Sequence, residues 1–278
     1  MEMFVKQSNE KANIILQRYV DNYKFIYGSY ILWAWISVVV VVSGPIYLPD
    51  EFPTNAVYPF SVEHPLIKSI IYLQQSIAGF QVSASMSIDY NIAILLLYCA
   101  ARLELLTQNI RTVINENELN TCIKFHNEIL RYTKEVISVI TPMIFTTIMT
   151  TAMSVIFGSL YIITDQPLMV KLQYAAIVFT ASMVLFACSL SADKLMHMSN
   201  RICLGAYESQ WFKGSVSMQK KIIQILFRAQ KPEVISITGM IPALTLRYYI
   251  GVRIMHFFKY VCIFIYIYTG RFRTTICP

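Results

Sequence analysis

The sequence predicts an all-α fold, a polytopic membrane helical bundle, and three observations lead there. Only 14% of the 278 residues are charged, against about a quarter in water-soluble domains. Mean hydropathy is high, at +0.51. Apolar runs long enough to cross ~30 Å of hydrocarbon recur along the whole chain. The formal charge of +7 does not redirect the reading to nucleic acid, because Lys and Arg are scattered through the segments between apolar runs and form no stripe with aromatic platforms.

Five spans are predicted, at about 28–47, 66–100, 136–163, 171–198 and 234–268. Ahead of the first, Lys6, Lys11, Arg18 and Lys24 resemble the basic region of a signal peptide, but 27 residues precede the run and no small-residue cleavage site follows it. The segment 44–65 contains no Lys or Arg, and neither does 164–170. By contrast 101–135 carries Arg102, Arg111, Lys124, Arg131 and Lys134, and 199–233 carries Arg201, Lys213, Lys220, Lys221, Arg228 and Lys231. Basic connectors stay on the inside. The N-terminus is therefore expected in the cytoplasm and 44–65 outside. Helix-favouring residues run on from the second span to about Ile114, and TCIKFHNEILRYTKEVISVI repeats the apolar i, i+3, i+4 spacing, so a cytoplasmic helical layer is expected below the membrane. Residues 1–200 form the transmembrane bundle with these extensions. Residues 201–278 hold an assembly segment and the last span.

The chemistry-bearing residues point away from an enzyme. His126 and Glu128 form H-N-E, half of a zinc deaminase signature, without the P-C-x-x-C that completes it. They are read as a solvated helix face. The other histidines lack metal spacing, the six cysteines include no C-x-x-C pair, and neither a nucleophile elbow nor a phosphate loop is present. No metal or cofactor is expected.

The second span is more informative. Tyr72, Ser76, Gly79, Ser83, Met86 and Tyr90 recur in steps of three and four and share one helix face. Small and hydroxyl residues on one stripe suit helix packing in lipid. An apolar pocket with a few hydroxyls and aromatics would use the same residue types for a small volatile ligand. Both readings stand at this point. On the second, the candidate ligand-binding residues are Trp35, Val38, Tyr72, Ser76, Gly79, Phe80 and Tyr161. Asp89, inside the span, is read as a hydrogen-bonding residue rather than an ion path.

Three stretches carry a family resemblance: the loop LPDEFPTNAVYPFSVEHP ahead of Gln74 and Gln75, the run SMSIDYNIAILLLYCAARLELLTQNI, and AYESQWF followed by RAQKPEVISITGMIPALTLRYY. The chain resembles the insect odorant receptors, from the third to the seventh helix of that fold. The resemblance implies a subunit that binds small hydrophobic volatiles. With a shared co-receptor, in a heterotetramer in the plasma membrane of olfactory neuron dendrites, it would gate a non-selective cation channel. It also implies that the last helix lines the pore, and that Tyr207 and Trp211 are anchors of the layer joining subunits. The likeness stops at Gly251, and 252–278 is atypical; a truncated or alternatively processed, non-conducting form is one expectation, with 252–278 as translated intron. A gustatory receptor is disfavoured by its missing terminal motif, and a G-protein-coupled receptor by the orientation. A transporter is disfavoured because no internal repeat is present.

Overall fold

The computed structural model describes residues 2–47, 52–54, 56, 58–163, 168–237, 239 and 242–251. Four long helices dominate: α1 (Glu2–Tyr47), α2 (Pro65–Arg111), α3 (Glu116–Ile163) and α4 (Leu168–Glu208). A 3₁₀ turn (Trp211–Lys213) and the shorter α5 (Val216–Ala229) follow. At 1.5 Å per residue each long helix exceeds about 60 Å, twice the hydrocarbon thickness. Each therefore carries a membrane-crossing part and a part in water. Among the described residues four helices are long and apolar enough to cross a membrane. These coincide with the first four predicted spans. The fifth differs at its start: 234–237 and 242–245 are not helical, and 246–251 are, with Thr245 as the cap accepting from Tyr248 N at 3.2 Å. Pro232, Pro242 and Gly239, whose φ is +80°, account for the delay. The rest of that span lies outside the described residues.

The helix starts follow local chemistry. Pro65 opens α2 at the one position where a missing N–H costs nothing. At α3 the NENEL sequence caps the helix through Glu118, whose Oε2 accepts from the backbone N–H of Ile114 at 3.0 Å and of Asn115 at 3.5 Å. Ser215 caps α5, its hydroxyl accepting from Met218 N at 3.2 Å.

The chain divides into two compact units, one of residues 20–92 and one of residues 1–19 with the chain from Ala93 onward. The larger unit has a conventional apolar core. Leu96, Leu103, Leu106 and Ile110 of α2 are buried with Leu119 and Ile129 of α3, Leu195 and Ile202 of α4, and Met218, Ile222 and Ile225 of α5. Charged groups bind its edges. Arg18 and Tyr19 of α1 both donate to Glu104, Tyr19 at 2.9 Å, and Lys194 lies 5.7 Å from the Tyr19 ring. Glu116 accepts from Lys221 and Ser217, each at 2.7 Å, which ties α3 to α5 and holds its carboxyl below the usual carboxylate range. His126 corrects the solvated-face reading: it is 4% exposed. Burial, and secondarily the charge of Arg228 on α5, push it down to about 4. His126 shares a helix face with the core positions Cys122 and Ile129, whereas Glu128, two residues on, is exposed.

Candidate ligand flank and assembly segment

In the smaller unit, Ala34, Val38 and Val42 recur every four residues on α1 and meet the hydroxyl stripe of α2. Ser83 Oγ donates to the Ala34 carbonyl at 2.9 Å, and Tyr72 Oη donates to the Val42 carbonyl at 2.8 Å. Between them Gly79 lets the helices close, since a Cβ there would stand 2.7 Å from Val38 Cγ2. Ser76 is buried and donates to the Tyr72 carbonyl at 2.7 Å. Tyr90 ends the stripe, stacked on Tyr30 at 5.6 Å and edge-on to Tyr27. The stripe thus packs α2 against α1. Tyr72, Ser76, Gly79 and Val38 are placed in that seam, whereas Leu73, Ile77, Val82 and Ile88 face outward, and Ile71 is buried.

Trp35 and Phe80 lie differently. They sit beside the seam with ring centroids 6.3 Å apart, Trp35 39% and Phe80 43% exposed. The indole N–H donates to Ser87 Oγ at 3.2 Å, and Ser87 Oγ donates to the Ser83 carbonyl at 3.0 Å. With its polar edge satisfied, the pair presents aromatic faces and one hydroxyl, a surface suited to small apolar molecules with a single polar group. Ser87 was not among the sequence candidates, although it lies four residues beyond Ser83. Gln75 was named only for the resemblance, and the structure gives it work. It accepts from Thr54 N at 2.9 Å and donates to Tyr58 Oη at 2.8 Å, pinning the loop whose Phe52, Tyr58 and Phe60 rings cluster at 5.4 to 6.2 Å.

Tyr161 belongs to α3 in the other unit, and its side chain lies outside the described residues. Tyr207, in the last turn of α4, is 68% exposed; Trp211 opens the 3₁₀ turn half-buried, and Phe212 beside it is exposed. The end of α4 is fixed to α2 by the Arg111–Glu208 ion pair at 2.5 Å and by Gly205, where a Cβ would stand 3.0 Å from the Thr107 carbonyl oxygen and closer still to its methyl. These contacts hold the Tyr-x-x-x-Trp segment on a rigid platform with its aromatic groups partly uncovered. Among the described residues no cluster of His, Cys, Asp and Glu is arranged to hold a metal.

Two solved structures share this architecture. The insect olfactory receptor OR5 from Machilis hrabei superposes with a TM-score of 0.74 at 18% identity, covering 95% of this chain and 69% of that one. The same receptor in complex with eugenol gives 0.70 at 19% identity, covering 95% and 70%. Among curated proteins no sequence matches. The family model described as 7tm Odorant receptor matches residues 2–268, nearly the whole chain. With its long apolar helices, that match makes this a multi-pass membrane protein of the odorant receptor family.

Proposed function

We propose that the chain is the odorant-recognising subunit of a ligand-gated cation channel, working with a co-receptor subunit in a heterotetramer at the plasma membrane of olfactory neuron dendrites. The observation that carries the ligand part is the exposed Trp35–Phe80 pair with Ser87 at its edge, the part of the α1–α2 hairpin not consumed by packing. Its chemistry fits a small apolar volatile with one hydrogen-bonding oxygen. The Machilis receptor's complex with eugenol supports a small-molecule ligand. Tyr207 and Phe212, exposed on a platform fixed by Gly205 and Glu208, are the residues offered to neighbouring subunits, with Trp211 as their inner support. The basic connectors support a cytoplasmic position for 101–135 and 199–233, the parts of the larger unit outside the spans.

The test is co-expression with a co-receptor in cells lacking both, with currents recorded against phenols, esters and alcohols. Odorant-evoked cation current and co-purification of the two subunits are expected. Silence across the panel together with failure to co-purify contradicts the reading.

A further inference from the structure

Where the apolar part of α2 ends and that of α3 begins, a half-open cleft of about 310 Å³ lies between the two helices. Tyr98 and Arg102 form one wall, and Glu128, Arg131, Tyr132 and Glu135 the other. Tyrosines at this level alone would be an interfacial belt, and an arginine there ordinarily extends toward water. Arg102 does neither of the usual things. Its guanidinium lies 4.9 Å from the Phe125 ring and 5.9 Å from that of Tyr98, and it donates to Tyr98 Oη at 3.3 Å. Among the described residues it meets no carboxylate within ion-pair distance. Glu135 is engaged by Arg131 on its own helix at 3.7 Å, while Glu128, like Arg102, has no ion-pair partner among the described residues. One cleft therefore presents a pre-oriented cation and a carboxylate that do not neutralise each other, beside the edge-to-face rings of Tyr98 and Tyr132.

The surface next to the cleft continues the pattern. One turn toward the membrane from Tyr98 lies Ile94, 43% exposed; one and two turns from Glu135 lie Val139 and Met143, 63% and 44% exposed. A charged, aromatic cleft opening onto an exposed apolar ridge matches a molecule with a zwitterionic head and a hydrocarbon tail.

We infer that this cleft seats one phosphoglyceride. Its phosphate sits on Arg102, its ammonium lies by Glu128 against the tyrosine rings, and an acyl chain runs along Ile94, Val139 and Met143. A guanidinium binds phosphate by charge-assisted hydrogen bonds. Aromatic faces with a carboxylate suit a quaternary or primary ammonium. The lipid would brace α2 against α3 at the level where both leave the bilayer. The inference does not depend on the odorant reading, since the cleft borders the apolar windows whichever side it faces.

The experiment is native mass spectrometry of the full-length chain in detergent with phosphatidylcholine, phosphatidylglycerol or diacylglycerol, and with soluble glycerophosphocholine as competitor. Retention of one phosphatidylcholine in preference to the other two lipids is expected. Arg102→Gln should lower the bound fraction about tenfold, the scale of one lost charge-assisted contact. Glu128→Gln should remove the preference over phosphatidylglycerol. Equal or stronger retention of phosphatidylglycerol by the unmodified chain overturns the proposal, and so does indifference to Arg102→Gln. Competition by glycerophosphocholine at lipid-equivalent concentration overturns the membrane as the source. Should Arg102→Gln fail to fold, the exposed Glu128→Gln decides alone: an unchanged preference refutes the assignment.

Discussion

The two units are built from helices of similar hydropathy but are held together by different forces. In the larger one, Leu103, Leu106, Leu119, Leu195 and Ile222 are fully or almost fully buried, as in a water-soluble bundle. The smaller one buries few large side chains. Its seam is made of Ala34, Gly79, Ser76 and Ser83, and the bulky Leu32, Val40, Leu73, Ile77 and Val82 are turned outward. Water explains the burial of Leu103, Leu106, Leu119 and Ile222, which lie beyond the predicted spans, because burying apolar surface is favourable only where the alternative is solvent. Lipid explains the second: hydrocarbon is as good a neighbour as leucine, so close backbone approach and hydroxyl–carbonyl bonds decide the contact. The difference assigns the units different work. One is a platform, and the other leaves aromatic surface open beside its seam.

The sharpest way to break this comparison is to remove the same side chain from both regions. Leu106→Ala should cost about 2 to 5 kcal/mol, the range for a fully buried leucine, and show as loss of monodisperse protein and a lower unfolding temperature in detergent. Leu73→Ala, 60% exposed, should leave both nearly unchanged. Similar losses at the two sites would show that the hairpin also relies on an apolar core.

Acid provides the next test and should act on the platform alone. His126 is held neutral, with its value about 4 against an ordinary 6.5. The unfolded chain therefore binds the extra proton first, so stability is full above pH 6.5 and falls as pH drops toward 4. On the order of 3 kcal/mol is at stake, at 1.36 kcal/mol per unit of displacement. An unfolding-temperature series over pH 7 to 4 should show the decline, and His126→Asn should flatten it. A decline unaffected by that change would assign the acid sensitivity to other groups.

Smaller effects are expected where glycine permits close packing. Gly205→Ala sets a methyl against the Thr107 backbone and should destabilise by about 1 to 3 kcal/mol, as overpacking does. Gly79→Ala meets side chains only, Val38 Cγ2 at 2.7 Å and Val42 Cγ2 at 3.9 Å, and no backbone, and should cost less. A thermal ranking in the opposite order would mean that the seam, not the platform, is the more rigid contact.

Much of this was legible in the sequence. Four spans follow from the length of the apolar runs, the extension of α2 to Arg111 from a stretch without glycine or proline after Phe80, and the helical approach to the third span from its apolar i, i+3, i+4 spacing. The hydroxyl stripe was legible as a face but not in its meaning, because the same residue types serve seam and pocket; the partners Ala34 and Val42 on α1 supply it. α5 was absorbed into a basic connector, since its apolar positions Met218, Ile222 and Ile225 are separated by lysines and glutamine. The Trp35–Ser87 bond joins residues 52 positions apart, and no local pattern announces it.

On the proposed function, the exposed flank of Trp35 and Phe80 reads the odorant while the seam beside it only packs. Dose–response curves for a panel of volatiles, recorded with co-receptor and normalised to surface expression, test it in Phe80→Ala and Ser76→Ala. Phe80→Ala should reorder the panel, weakening some odorants about tenfold or more while sparing others, because loss of a ring changes each fit differently. Ser76→Ala should scale all responses together. Uniform scaling by Phe80→Ala, or reordering by Ser76→Ala alone, would place recognition in the seam and contradict the claim.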